Sequence, residues 1–253
     1  MSWQQQLFLR PGLVRALRRV ARRLGFEVTA LGPHDAEPHW LEIYDRVEPF
    51  TMTSLSRVFA CIAAAEHVSK RGIEGAIVEC GVWKGGSSMA ALLALVRRSD
   101  FSREVWLYDT YEGMTAPGEH DAEANKQLFA SHSRDDGSSD WCRAELGEVF
   151  ANIESCGYPM AQMKFIKGRV EKTIPGALPD RISVLRLDTD FYESTRHELE
   201  HLYPRLSSGG ILMIDDYGAH AGAKRAVDEF LLKGSIDGFL NRIDSSGRLL
   251  IKP

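Results

Sequence analysis

Residues 76–89 read AIVECGVWKGGSSM, in which a short apolar run passes directly into a glycine-rich turn and then into a helical segment, Met89–Arg98. From residue 72 onward, apolar runs of this kind alternate with helical segments. The runs are Ala76–Cys80, Val105–Asp109, Met163–Lys167, Ile182–Asp188 and Ile211–Ile214, followed by an antiparallel hairpin predicted at Phe239–Ile243 and Arg248–Lys252. The alternation predicts an α/β fold whose parallel sheet is covered by helices on both faces. We therefore expect functional residues at the carboxyl ends of the strands, where open α/β sheets bind ligands.

The composition is that of an ordinary globular protein. The chain has 253 residues, of which 44% are hydrophobic and 26% are charged, and its formal net charge is −4. The apolar content excludes a disordered, collagen-like or low-complexity chain, and the length fits one domain. Because no membrane-spanning run or signal-peptide pattern is found, we expect a cytoplasmic protein. The four cysteines lack metal-ligand or redox spacing, so we expect reduced and mostly buried thiols.

The first 26 residues contain six arginines and no acidic residue. Leu13, Leu17, Val20 and Leu24 lie on one side of a helical wheel and most of the arginines on the other, which predicts a basic amphipathic helix. Residues 11–25 would contact an anionic membrane surface, or pack on the body of the protein or on a second subunit. Since this segment holds much of the positive charge, the rest of the chain is acidic, and we expect no nucleic-acid partner.

The chain divides at the end of this N-terminal region. We predict an N-terminal helix and linker at residues 1–48 and a main domain at residues 49–253. Within the main domain, a stretch at about residues 115–148 is rich in Gly, Ser, Asp and His. It is too long for a simple connection between elements, and it predicts a lid over the functional site.

The glycine-rich turn predicts a ligand site at the start of a helix, because glycines let a ligand approach backbone N–H groups. The dinucleotide pattern G-x-G-x-x-G would need a glycine where Trp83 stands, and no G-x-x-x-x-G-K-[ST] phosphate-binding sequence occurs. Asp109, at the end of the second apolar run, could accept hydrogen bonds from both hydroxyls of a ribose. This combination favours S-adenosylmethionine over NAD or FAD.

Carboxylates follow two consecutive apolar runs. Asp188 and Asp190 follow one run, and Asp215 and Asp216 follow the next. Four such acids would repel one another without a cation or protons, and hard oxygen ligands favour Mg²⁺. We predict Asp188, Asp215 and Asp216 as metal ligands. Asp190 is the predicted general base, which takes the proton of an acceptor hydroxyl.

Alternative roles are open for some of these side chains. His197 and His220 are alternative bases, although each is expected more readily on a helix or at the surface. Asp190 or Asp216 could individually cap a helix, since Asp is a favoured N-cap residue.

Several motifs resemble those of the macrocin O-methyltransferase family, which includes the mycinamicin and novobiocin-pathway sugar O-methyltransferases. The resemblance covers about residues 50–230, with the motifs in the family's order. The motifs are Glu79–Gly86 (ECGVWKGG), Asp109–Met114 (DTYEGM), Leu187–Thr195 (LDTDFYEST), Tyr203–Leu206 (YPRL) with Gly209 and Gly210, and Asp215–Tyr217 (DDY).

The resemblance implies a class I Rossmann-like methyltransferase fold with a seven-stranded sheet. It also implies S-adenosylmethionine as donor, Mg²⁺ at the three acids named above, and Asp190 as base. The acceptor would be a sugar hydroxyl of a glycosylated natural product, covered by the lid, in which Trp141 could stack on the sugar. Members of the family are commonly dimers or larger homo-oligomers. The donor residues that it implies are Thr51, Met52, Glu79, Gly81, Ser87 and Asp109.

Other functions are compatible with parts of the sequence. A lipid-linked or cell-envelope glycan as acceptor would suit the basic N-terminal helix. A catechol-type O-methyltransferase would use a similar arrangement of metal ligands but would need a flat, apolar acceptor pocket. A non-catalytic binding protein with this fold has no physical reason to keep four clustered acids.

Overall fold

A computed structural model of the chain describes residue 20, residues 36–234 and residues 238–253. The strands are β1 (Ala76–Cys80), β2 (Val105–Asp109), β3 (Met163–Lys167), β4 (Ile182–Leu187), β5 (Leu206–Ile214), β6 (Asn241–Arg242) and β7 (Arg248–Ile251). The helices are α1 (Pro38–Val47), α2 (Leu55–Arg71), α3 (Gly86–Arg97), α4 (Glu123–His132), α5 (Leu146–Glu154), α6 (Val170–Thr173), α7 (Tyr192–Leu202) and α8 (Ala221–Leu232). Short 3₁₀ helices lie at Glu48–Phe50, Met160–Gln162 and Tyr203–Arg205.

The strands form one seven-stranded sheet in the order β3-β2-β1-β4-β5-β7-β6. Strands β1 to β5 are parallel, and β7 is antiparallel to both β5 and β6. The predicted parallel α/β sheet, its five runs and the closing hairpin are therefore confirmed. The strand order reverses between β1 and β4, which places the ends of β1, β2, β4 and β5 around one crevice.

Two elements begin at least three residues earlier than expected, and the first strand of the hairpin is shorter, at Asn241–Arg242 rather than Phe239–Ile243. β5 begins at Leu206 rather than Ile211, because backbone hydrogen bonds between Gly209, Gly210 and Lys252 extend the sheet through a polar stretch without an apolar pattern. Helix α3 begins at Gly86 rather than Met89, because Gly85 adopts a left-handed conformation at the N-cap and the last residues of the glycine turn are already helical.

The core lies on both sides of the central strands. Every residue of β1 and β4 is buried, as the continuous apolar runs predict. On one face Val78 and Cys80 join a cluster with residues of α7 and α8, such as Leu199 and Val227. Helices α2 and α3 pack against each other, and residues 86–95 of α3 are all buried. This packing holds the loops at the carboxyl ends of the strands in fixed positions.

Residues 38–253 form one compact unit. Within it α1 packs against α2 and α3, and both His39 and Trp40 hydrogen-bond to Glu66 on α2. The predicted basic helix at residues 11–25 falls outside the described residues except for residue 20, so that prediction and the boundary at residue 48 stay predictions. None of the helices described is both long and apolar enough to cross a membrane. All four cysteines are free, and Cys142 alone is not buried, as expected.

Candidate active site

A cavity of about 450 Å³ opens at the carboxyl ends of the strands. Its lining comes from the segment before α2, the glycine turn, the ends of β2, β4 and β5, and the predicted lid segment at residues 115–148. Nine of the ten predicted site residues line it: Thr51, Met52, Gly81, Ser87, Asp109, Asp188, Asp190, Asp215 and Asp216. The structure therefore brings the predicted donor, metal and base residues together around one space.

The glycine turn is shaped by close approaches of neighbouring chain segments. Gly81 has a φ of +82°, and a Cβ there would overlap the backbone carbonyl of Asp188 at the end of β4. A Cβ on Gly86 would overlap the backbone carbonyl of Phe50 and the Cβ of Thr51. The glycines therefore let β4 and the segment 50–53 close around the turn. The N-terminus of α3, with Gly86 and Ser87, faces the cavity and could hold an anionic group.

Asp109 organises this turn from the end of β2. Its Oδ2 accepts hydrogen bonds from the backbone N–H groups of Val82 (2.6 Å) and Trp83 (3.1 Å), and its Oδ1 accepts one from Tyr111 (2.7 Å). Burial raises the pKa of Asp109, and these backbone donors counteract the rise. Trp83 has a left-handed φ of 46°, uncommon for a bulky residue. The acid thus holds the backbone in a strained turn beside the cavity.

Glu79 is the one predicted donor residue that does not line the cavity. It is 2% exposed and lies beneath the glycine turn, where its carboxylate accepts hydrogen bonds from Ser88 and from Arg186. Burial raises its pKa, and the charge of Arg186 opposes the rise. Direct contact between Glu79 and S-adenosylmethionine stays a prediction. In the structure Glu79 instead contacts Ser88 and Arg186, which lie next to the cavity-lining residues.

Arg186 in β4 is a central residue that the sequence reasoning missed. It is 4% exposed, and its guanidinium contacts Glu79, Asp188 (2.7 Å) and Asp215 (2.6 Å). Burial acts to lower its pKa, but the three carboxylates outweigh burial and raise it. The signal that could have identified it is a single charge inside the apolar run ISVLRL.

Arg57, in the first turn of α2, also lines the cavity and was not predicted from the sequence. Its guanidinium contacts Asp215 and lies 2.9 Å from Asp244, in the loop between β6 and β7. Asp244 also accepts a hydrogen bond from Ser54, the N-cap residue of α2. Asp215 is therefore paired with two guanidinium groups, those of Arg57 and Arg186.

The carboxylates of Asp188 and Asp216 have fewer guanidinium partners than that of Asp215. Oxygens of Asp188, Asp215 and Asp216 lie within 4.8 Å of one another, as three ligands of one cation require. Among the described residues, the buried Oδ2 of Asp216 has no hydrogen-bond partner. Burial, together with the neighbouring carboxylates, raises the pKa of Asp216 well above its ordinary value. An all-oxygen donor set with an unpartnered buried atom fits a divalent cation such as Mg²⁺.

Asp190 occupies a strained position next to this set. Its φ is 67°, and burial and the charge of Asp188 raise its pKa to about 7. A carboxylate with a pKa near neutrality is suited to accept a proton from a substrate hydroxyl.

The two histidines named as alternative bases occupy different places. His197 lies on α7 and its Nε2 contacts the backbone oxygen of Ile174, 2.9 Å away. His220, just before α8, has its Nε2 3.7 Å from Asp190 Oδ2 and its Nδ1 3.1 Å from the side-chain nitrogen of Asn125. The position of His220 at the site carried no motif signal in the sequence.

The predicted lid segment reaches the cavity. It contains α4, and Cys142 lines the cavity beside Met114. The ring of Trp141 lies edge-on to that of Phe191, with centroids 6.0 Å apart, which places Trp141 next to the loop that carries Asp190. Whether Trp141 contacts an acceptor stays a prediction.

Comparisons with known proteins agree with this geometry. The chain matches the family described as "Macrocin-O-methyltransferase (TylF)" over residues 43–251. A relative from Streptomyces olivaceus, 8-demethyl-8-(2,3-dimethoxy-alpha-L-rhamnosyl)-tetracenomycin-C 4'-O-methyltransferase, is 36% identical over 216 residues, which cover 85% of this chain and 80% of the relative. Mycinamicin III 3''-O-methyltransferase from Micromonospora griseorubida is 31% identical over 199 residues, covering 78% and 76% of the two chains. The solved structure of the O-methyltransferase NovP superposes with a TM-score of 0.71 at 32% identity, covering 80% of this chain and 82% of that one.

The fold and the site thus define an S-adenosylmethionine-dependent O-methyltransferase of the class I, Rossmann-like type. Within that class, the chain belongs to the macrocin O-methyltransferase family. Its relatives are sugar O-methyltransferases of natural-product biosynthesis, as the resemblance predicts.

Proposed function

We propose that this enzyme transfers a methyl group from S-adenosylmethionine to a sugar hydroxyl of a glycosylated small molecule, with Mg²⁺ bound at Asp188, Asp215 and Asp216. The observation that carries the proposal is the convergence of these acids and Asp190 on the cavity that the glycine turn lines. The names of the relatives support the sugar acceptor, since one carries a rhamnosyl group in its substrate name.

The donor residues would act in two ways. Thr51, Met52, Gly81, Ser87 and Asp109 line the cavity and would contact S-adenosylmethionine. The N-terminus of α3 would favour the carboxylate of the donor's amino-acid part, because helix N-termini favour anions. Glu79 would act from beneath, by holding Ser88 and Arg186 in place.

The carboxylates would divide the chemistry between them. A divalent cation bound at these acids would lower the pKa of the acceptor hydroxyl. Asp190 accepts the proton of that hydroxyl, while the acceptor oxygen forms its bond to the methyl carbon and the bond from that carbon to sulfur breaks. Arg186 and Arg57 orient Asp188 and Asp215, and the lid limits access of water to the reacting groups.

The proposal extends to the parts of the chain outside the site. We propose residues 1–48 as an N-terminal region and residues 49–253 as the methyltransferase domain, with residues 115–148 as its lid. Residues 11–25 would contact a membrane surface or a second subunit of a homo-oligomer, and the enzyme would act in the cytoplasm on glycosylated small molecules rather than nucleic acid.

Calorimetry tests the reaction class. S-adenosylhomocysteine is titrated into the protein alone, and then with Mg²⁺ and a panel of deoxysugar glycosides, lipid-linked sugars and catechols. We expect donor binding in every case and an acceptor, drawn from the glycosides, that binds only with Mg²⁺. Methylation of that acceptor should be lost in D188A and kept in D136N, which alters an exposed lid acid. Binding of a catechol alone, or full activity in D188A, would contradict the proposal.

A further inference from the structure

A second group of possible metal ligands lies next to the proposed magnesium site. These ligands are Asp190, Asp216 and His220. Each offers one ligand atom, and the three atoms lie within 4.8 Å of one another. This group shares Asp216 with the first set but replaces two carboxylates by Asp190 and an imidazole. Asp216 is buried, with 8% of its surface exposed, and the side chain of His220 is 20% exposed.

The imidazole of His220 is held by a partner on its far side. Asn125 on α4 lies 3.1 Å from Nδ1, which leaves Nε2 directed towards Asp190, 3.7 Å away. Histidines that bind metals characteristically use one ring nitrogen for the metal and the other for a hydrogen bond that fixes the ring. In the structure the side-chain nitrogen of Asn125 faces Nδ1. Rotation of this amide by 180° would place Asn125 Oδ1 there, where it would accept a hydrogen bond from Nδ1–H and leave the lone pair of Nε2 for a cation.

The distribution of positive charge also favours this position. Asp215 is paired with Arg57 and Arg186, and Asp188 is paired with Arg186. In the described parts of the chain no arginine or lysine contact is found for Asp190 or Asp216. The buried Oδ2 of Asp216 has no hydrogen-bond partner there either. The carboxyl groups without a guanidinium or ammonium partner therefore lie on the side of the cluster that faces His220.

We propose that Asp190, Asp216 and His220 form a second cation site, selective for a borderline transition metal such as Zn²⁺, whose occupation inhibits methyl transfer. An imidazole ligand favours Zn²⁺ over Mg²⁺, which prefers oxygen ligands. A cation at this site uses the lone pairs of Asp190, which can then no longer accept a proton. The inhibition rests on the proposed function, whereas the binding of Zn²⁺ does not.

The test is a calorimetric titration of Zn²⁺ into the protein in saturating Mg²⁺. We expect one Zn²⁺ bound by the wild-type protein in addition to Mg²⁺. H220Q should lose this binding, and N125A should weaken it by about 10- to 100-fold, the usual effect of removing a partner of a ligating histidine. With Co²⁺ in place of Zn²⁺, the visible absorption spectrum reports a nitrogen ligand that H220Q removes.

The matched control is H201Q. His197 and His201 are neighbours on α7 with ring centroids 4.1 Å apart, so they offer a rival pair of nitrogen ligands. The proposal requires that H201Q binds Zn²⁺ as the wild-type protein does. It is overturned if H220Q retains the affinity of the wild type, if H201Q abolishes binding, or if each Zn²⁺ bound displaces one Mg²⁺.

Activity assays separate this proposal from the proposed function. Added Zn²⁺ should inhibit methyl transfer in the wild-type and H201Q proteins, with an inhibitory concentration at least about tenfold higher in N125A. Equal inhibition of wild type and N125A contradicts the inhibitory role. If no acceptor is methylated under any condition, the proposed function fails, while the calorimetric result on His220 still decides whether the site binds a cation.

Discussion

The two halves of the cavity are built on different physical principles. On the donor side, the glycine turn is held by backbone contacts, and both oxygens of Asp109 accept backbone hydrogen bonds. On the side of β4 and β5, four carboxylates crowd together with raised pKa values at Asp188, Asp190 and Asp216. The hydrogen-bonding groups of the donor side are already paired and the site is defined by shape, whereas the crowded carboxyl groups of the acidic side need protons or a cation to relieve their repulsion.

The largest expected effect comes from removing the base on the acidic side. D190N should lower kcat by about 10²- to 10⁴-fold, the usual contribution of a general base. Binding of S-adenosylhomocysteine should be unchanged, because the donor side does not depend on this charge. Steady-state kinetics and calorimetry on the same sample check both expectations. A loss of donor binding in D190N would show that the two halves are not independent.

A change of shape should damage the donor side instead. In G81A, the new Cβ overlaps the carbonyl of Asp188, so we expect a loss of about 3 kcal/mol or more in the free energy of unfolding, together with weaker donor binding. Denaturant unfolding measures the first and calorimetry the second.

The control for that prediction is G137A. Gly137 has a φ of +83°, close to that of Gly81, but a Cβ there would meet nothing within 4 Å. It should therefore cost only the backbone strain of about 1–2 kcal/mol. Equal losses in G81A and G137A would mean that the overlap with β4 is not the cause.

Binding of Mg²⁺ to the acidic side should stabilise the folded protein. At 100 times its dissociation constant, Mg²⁺ should raise the free energy of unfolding by about 2.7 kcal/mol. D216A should abolish this increase, and D136N should keep it. Thermal unfolding with and without Mg²⁺ makes the comparison, and an increase that survives in D216A would place the cation elsewhere.

The smallest effect is expected behind the acidic side, at Glu198. This residue of α7 is fully buried, and its carboxylate accepts a hydrogen bond from Thr189, 3.0 Å away. Burial raises its pKa well above the ordinary value of 4.5. The folded state therefore favours the protonated acid, and the stability that this group contributes below pH 4.5 is lost as the pH rises towards the raised pKa.

The variant E198Q tests this dependence. Glutamine is neutral at every pH, so E198Q should gain stability relative to the wild type as the pH rises from 5 to 8, by on the order of 1 kcal/mol. Denaturant unfolding at the two pH values gives the difference. A constant difference between the two proteins would mean that Glu198 does not titrate differently on folding.

The same contrast explains which features the sequence predicts. The strands, the glycine turn and the acids that follow β4 and β5 are local patterns, and each was found at or within a few residues of its expected place. Arg186 with Glu79, Arg57 with Asp215, and Asn125 with His220 join residues 107, 158 and 95 positions apart. No local pattern encodes such pairs, because they arise only when the sheet and its helices bring distant segments together.

The bridge between Arg57 and Asp244 has a consequence for the order of synthesis. These residues are 187 positions apart, and the contact joins the helix that precedes the first strand to the loop that precedes the last one. A growing chain on the ribosome contains all four clustered acids well before it contains Asp244. Until the final hairpin has left the exit tunnel, Arg57 lacks one of its two carboxylates and the cavity lacks the side formed by Ser245 and Ser246. The active site is thus completed only after strands β1 to β5 and all four clustered acids have been synthesised.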